Sequence, residues 1–355
     1  MICLPQKLLC WCCFFLLFLS LSFARSSAFH SWKSDQRILL GLEIDDNIAE
    51  SLYRPASDGS LVLTYENKSA LHHPNNSLLL AYSGGLQLYQ NYGSENKSIH
   101  EASARFQYYY RNVSLGLHAL GKSKYLFDKN GDYSLLYVNP FARISLNKRL
   151  ALIPGFKYET LRYAHFPDFN YAGEFFSLLM TANVHHNISI NPEASFGSIR
   201  LNRPAYRLTP PDQWIPQHAN HEDDYINAGV LVDWYVRGLL INAGYYFQTA
   251  KSNSDGFSFD KHLVKFILVK QLGRYFLKGF CTLEKKNYTD KTVPSLPIDI
   301  DTERRQSNYI VVDLSRELRT KTTLTFRLAW YTNESLLPEK YYQKTLVNFL
   351  IAFHF

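Results

Sequence analysis

Apolar and polar residues alternate along this chain in blocks of about nine to twelve residues, each block followed by a polar break and then another block. The clearest block sets Leu324, Phe326, Leu328 and Trp330 against Thr323, Thr325, Arg327 and Ala329. Another sets Leu239, Ile241, Ala243, Tyr245 and Phe247 against Asn242, Gly244, Tyr246 and Gln248. Before it, Ala228, Val230, Val232 and Trp234 oppose Asp233, Tyr235 and Arg237. Successive side chains of a strand point to opposite faces, so a period of two predicts strands with one apolar and one polar side. The pattern predicts strands near 78–91, 101–112, 113–126, 133–147, 149–164, 171–187, 188–203, 222–236, 238–251, 258–272, 274–288, 305–318, 320–332 and 341–355, with two more possible near 36–46 and 60–67.

The joints fall into two kinds. Asn147-Lys148-Arg149, Arg237-Gly238 and Leu272-Gly273-Arg274 are tight, whereas others are long and polar. Short turns at one end and long loops at the other are the signature of an all-β, transmembrane, antiparallel up-and-down β-barrel, here of about 14–16 strands. A water-soluble sandwich or propeller also repeats alternating strands, but its core is dominated by aliphatics. Here aromatics crowd the strand ends, at Tyr108, Tyr109 and Tyr110, at Tyr158 and Tyr163, at Tyr245, Tyr246 and Phe247, and at Tyr341 and Tyr342. Girdles at two lipid–water boundaries account for that placement. The stretch 203–221, which holds Pro204, Pro210, Pro211 and Pro216, reads as the longest loop, outside the barrel or folded into its lumen. Gly84-Gly85 inside a strand reads as a bulge or tight bend.

Composition narrows the class further. Twenty-four Phe, 25 Tyr and 5 Trp with only 19% charged residues exclude a disordered chain and a coiled coil. The one long apolar run, Leu8 to Phe23, follows Lys7 and precedes Ala24, Ser26, Ser27 and Ala28. It reads as a signal peptide cut after Ala24 or Ala28, so that residues 1–28 are leader, 29–77 an N-terminal segment with one or two possible strands, and 78–355 the barrel. Cys3, Cys10, Cys12 and Cys13 all fall in the leader, and Cys281 alone remains, so neither an internal disulfide nor a thiolate metal cluster is available. The net charge of +7 is dispersed without a basic run, which argues against nucleic acid as a partner.

The last segment alternates Val347, Phe349, Ile351, Phe353 and Phe355 with Asn348, Leu350, Ala352 and His354. This ending resembles the terminal strand of Gram-negative outer-membrane β-barrels. The resemblance implies outer-membrane residence, contact with lipid and lipopolysaccharide, and recognition of those five residues by the barrel-assembly machinery. Glu43-Ile44-Asp45-Asp46-Asn47 and Tyr331-Thr332-Asn333-Glu334-Ser335 also look like segments of barrels that accompany surface-polysaccharide export or surface-lipoprotein assembly.

If the apolar set faces lipid, the lumen receives Arg105, Arg111, Arg143, Lys157, Arg237, Lys278 and Arg327, opposed by Glu159, Asp233, Asp313 and Glu317. Such an interior favours small hydrophilic solutes and, mildly, anions. The expected function is a pore, with export, assembly or loop-mediated adhesion as the alternative. Catalysis has a weak basis. His185, His186 and Ser189 offer a base and a hydroxyl, but neighbours on a strand point opposite ways, so only one of the two histidines shares a face with Ser189. Glu222, Asp223 and Asp224 near His218 and His221 read as a solvated loop rather than a metal site, and no cofactor is expected.

Overall fold

A computed structural model describes residues 31–51, 53–128, 131–209, 213–289, 308–333 and 342–355. The expected signal peptide, Pro210, Pro211 and the segment Glu334-Ser335 lie outside the described residues. Within them are sixteen strands: β1 Ser31–Asp45, β2 Asp58–His73, β3 Asn76–Tyr89, β4 Lys97–Tyr110, β5 Val113–Leu126, β6 Tyr133–Ser145, β7 Leu150–Tyr163, β8 Tyr171–His185, β9 Ile188–Thr209, β10 Gln213–Val236, β11 Leu239–Ser252, β12 Phe259–Leu272, β13 Tyr275–Tyr288, β14 Asn308–Arg319, β15 Thr322–Asn333 and β16 Tyr342–His354. Each pairs antiparallel with its sequence neighbours, and β1 pairs with β16 from Arg37↔His354 to Asp45↔Leu346, closing the ring. Closure leaves no sheet edge, which is what a spanning sheet requires where water cannot reach the backbone.

The barrel begins earlier than the alternation places it. β1 and β2, two possible strands in an N-terminal segment by sequence, are full members of the closed ring. Periodicity is weak in both because Ser34, Gln36, Asn67 and Ser69 stand in the row that also holds Leu40, Leu42, Leu61 and Leu63.

The apolar rows form the outer face. On β15, Leu324, Phe326, Leu328 and Trp330 are 36–45% exposed while Ala329 between them is fully buried. Register carries the row onward, from Phe326 to Phe349 on β16 and from Phe349 to Leu42 on β1. Outer rings also pack across strands, Phe156 tilted against Phe176 at 5.0 Å and Phe176 stacked on Phe196 at 5.4 Å. The opposite face is concave: Gln87 on β3 donates to Glu43 on β1 across the intervening β2, at 2.5 Å, a reach available only inside the curve.

The long hairpin corrects the expected loop at 203–221. β9 and β10 run 22 and 24 residues, against 12 to 16 elsewhere, so 203–209 and 213–221 form a two-stranded ribbon that continues the wall beyond its long-loop end. Pro204 and Pro216 fit in the ribbon because the pairing shifts register between Pro216 and Asn220 and again between Asn220 and Glu222. Bulges of this kind leave a proline without a ladder bond to make. Gly84-Gly85 is the converse case. Both pair in register with Tyr65 and Thr64, with no bulge, and a Cβ at Gly84 would collide with the Tyr82 hydroxyl and the His100 ring.

At the long-loop rim Asp58, 5% exposed, accepts the backbone N–H groups of Gly59 at 2.8 Å and of Asn91 and Tyr92 at 2.9 Å each. Its carboxylate thus satisfies donors from the loop between β3 and β4. Asp58→Ala is expected to cost about 2–3 kcal/mol, the worth of hydrogen bonds to a charged acceptor with buried donors left behind, read as a lower urea midpoint.

Candidate functional site: the inner wall

Strand parity fixes which side chains share the concave face. Arg105, Arg143, Lys157, Glu159, Asp233, Lys278 and Arg327 all stand opposite the exposed apolar rows, on the face that holds Gln87 and Glu43. Arg111 and Arg237 stand outside the strands. β4 stops at Tyr110 and β10 at Val236, and both arginines sit exposed in tight turns with φ of 54° and 44°. A hairpin closed by so few residues needs positive φ, which ends the alternation one residue before each arginine.

Several inner charges are neutralised within the wall. Arg327 is bidentate on Asp313, at 2.7 and 2.8 Å, and Lys157 meets Glu159 at 3.0 Å. Lys344 bridges Asp45 at 3.0 Å and Glu50 at 3.2 Å. Asp233 accepts from Ser189 at 3.1 Å and from Asn191 at 2.9 Å, and also from Asn242. The distribution of charged residues on this face is uneven. Along β3 to β6 the inner positions carry Lys97, Arg105, Lys122, Lys124 and Arg143 against one carboxylate, Glu101. Arg105 lies over the Phe141 ring at 5.1 Å, a contact that positions a guanidinium without cancelling its charge.

Sequence alone missed a second feature. At the long-loop end the inner face of β6 to β12 is dry: Tyr133, Leu161, Tyr163, Tyr171, Phe175, Ile199, Leu201, Tyr225 and Phe259 form one buried cluster, closed by Phe169 from a single helical turn at Pro167–Phe169. Tyr163, expected in an outer girdle, is therefore an interior residue, as is Tyr342, whereas Tyr158 and Tyr245 do face outward. Alternation assigns an aromatic to a face only when its strand is otherwise clear, and here both faces carry aromatics.

The ribbon joins this cluster. Arg203 Nε donates to His221 Nδ1 at 3.0 Å, and the Arg203 guanidinium covers Phe257 at 4.7 Å and Phe169 at 5.4 Å. Because an arginine only donates, Nδ1 is the acceptor nitrogen of His221, and Nε2 carries the proton toward Asp223 Oδ1, 2.7 Å away. His221 and Asp223 are thus interior polar residues rather than loop residues, while Glu222 faces outward to Arg200 at 3.0 Å.

The candidate catalytic set separates. Ser189 gives its hydroxyl hydrogen bond to Asp233, and His185 bonds Asn187, so the two do not form a nucleophile–base pair. Among the described residues no three His, Cys, Asp or Glu side chains are placed to hold a metal ion.

No protein-family model and no curated protein matches this chain. Solved structures do. A BenF-like porin from Pseudomonas fluorescens Pf-5 is 8% identical with a TM-score of 0.47, covering 92% of this chain and 100% of that one. OpdL of Pseudomonas aeruginosa is 9% identical at 0.46, over 92% and 99%. OmpT, an outer membrane protein of Vibrio cholerae, is 8% identical at 0.46, over 92% and 100%.

Proposed function

We propose that the chain is an outer-membrane pore that passes small hydrophilic solutes and mildly favours anions. One observation carries the reading: a ring with an apolar outer surface encloses an arc, β3 to β6, where five cationic side chains face one carboxylate. An electropositive wall raises the local concentration of anions along it. The buried aromatic cluster on the adjoining arc, β6 to β12, takes up lumen space at the long-loop end, which favours small solutes over large ones. In this reading the outer rows meet lipid and, at the loop rim, lipopolysaccharide. The short turns face the periplasm, and the assembly machinery binds Val347, Phe349, Ile351, Phe353 and Phe355 on the outer face of β16. The chain transports and does not catalyse.

Reconstitution in a planar bilayer tests it. A steady ohmic conductance is expected, with a reversal potential in a salt gradient displaced toward anions. Replacing Arg105, Arg143 and Lys278 with glutamine should move that potential toward cations, since none of the three is in an ion pair among the described residues. An unmoved potential sinks the anion preference. A trace closed at every voltage sinks the pore and favours surface export, assembly or adhesion.

A further inference from the structure

We infer that the inner wall between β2 and β5 holds a subsite for a small zwitterion bearing one carboxylate and one ammonium, an α-amino acid in size and charge. The inference rests on the pore reading for how the ligand arrives, and on the following geometry for its binding.

A cavity of about 270 Å³ opens on this wall, with Thr64, Ser83, Gln87, Lys97, Glu101 and Lys122 in its lining. It falls just under the ~300 Å³ at which pockets begin to take drug-sized ligands, so it suits a smaller molecule. Glu101 and Lys122 are direct cross-strand partners, which puts the two opposite charges side by side on the cavity wall. On the same face Arg327 is paired with its cross-strand partner Asp313, and Lys157 with Glu159 two residues along its own strand. Here the side chains of Thr64, Ser83, Glu101 and Lys122 make no hydrogen bond or ion pair among the described residues. Two hydroxyls, a carboxylate and an ammonium therefore converge on one space with their bonding capacity open.

The chemistry that answers this set is specific. A carboxylate meets Lys122, with Lys97 on the inner face of the neighbouring strand β4, while an ammonium meets Glu101. Ser83 and Thr64 take the remaining donors and acceptors. Gln87 forms a fixed side of the site, since its amide nitrogen is held by Glu43, by Ser60 at 3.0 Å and by the Tyr89 hydroxyl at 2.9 Å. A pure anion leaves Glu101 facing it, and a pure cation leaves Lys122 and Lys97. The competing event is direct pairing of Lys122 with Glu101, which is weak in a water-filled lumen, so a ligand carrying both charges displaces it readily.

Two measurements on the full-length protein test the inference. In a planar bilayer at neutral pH, L-alanine should interrupt the potassium chloride current with dwell times about five-fold longer than propionate or isopropylammonium, the factor that ~1 kcal/mol represents. Equilibrium dialysis of isotope-labelled alanine against detergent-solubilised protein should show saturable binding. Lys122→Gln and Glu101→Gln should each remove both effects, and the charge-swapped double variant Glu101→Lys with Lys122→Glu should restore them. Alanine indistinguishable from propionate, or unaffected by either single variant, overturns the subsite. Binding without conductance keeps the subsite and sinks the pore; conductance without binding does the reverse.

Discussion

Removal of β16, residues 342–355, is expected to abolish the barrel rather than shorten it. β16 is the keystone: it pairs with β15 from Asn333↔Tyr342 to Thr322↔Phe353 and with β1 from Arg37 to Asp45. Without it, the backbone donors and acceptors along both of those edges face hydrocarbon. Each such group costs several kcal/mol there, so a handful exceeds the ~5–15 kcal/mol of net stability typical of a folded domain. The deletion also removes Lys344, which ties β16 to Asp45 and Glu50, and Phe349, whose ring packs on Phe326 at 5.1 Å. The measurement is gel mobility in SDS without boiling, where a closed barrel migrates as a compact species and an opened one as the denatured chain. A truncated protein that still migrates as the compact form would show that the ring does not depend on this seam.

The second large effect separates the two faces of a single strand. Leu328 lies between Phe326 and Trp330 on the outer side of β15, 45% exposed, about midway between the short turn at 320–321 and the end of the strand. Leu328→Arg puts a guanidinium where the bilayer is thickest, at an expected cost of about 2–4 kcal/mol. Thr325→Arg, three residues away on the inner side, sends the same group into the lumen. Its expected cost is about 1 kcal/mol, the loss of the Thr325–Ser315 hydroxyl bond at 2.9 Å. Urea titrations of both variants in lipid vesicles give the comparison. Equal destabilisation would mean that the greasy row does not meet lipid, and a reversed order would mean that inside and outside have been exchanged.

Much of this architecture is legible locally, and the particular strands show why. β5 occupies 113–126 as the alternation predicts, and β11, β13 and β15 begin within about two residues of their predicted starts, because each has one face of aliphatics and one of polar residues. β1 and β2 are harder to read, since Ser34, Gln36, Asn67 and Ser69 interrupt the apolar row. The ribbon at 203–221 reads as a loop because four prolines there argue against a regular ladder, and only the partner strand reveals that shifts of register absorb Pro204 and Pro216. Of the inner charges, those in mid-strand were placed by parity. Arg111 and Arg237 escaped it because nothing in an alternating pattern marks the residue at which the chain turns.

What the chain's own sequence determined is the set of strands, their two-faced character and the polarity of each face, because side-chain alternation is a property of neighbours along the backbone. Three matters were left to the tertiary structure. The first is the seam between β1 and β16, a pairing of segments some 300 residues apart. The second is the dry aromatic cluster, assembled from strands β6 to β12 together with the turn that carries Phe169. The third is which charges cancel and which, like Lys122 and Glu101, stay open to the lumen. Each of these depends on distance in space between residues remote in the chain, and only curvature and register of the closed sheet set that distance.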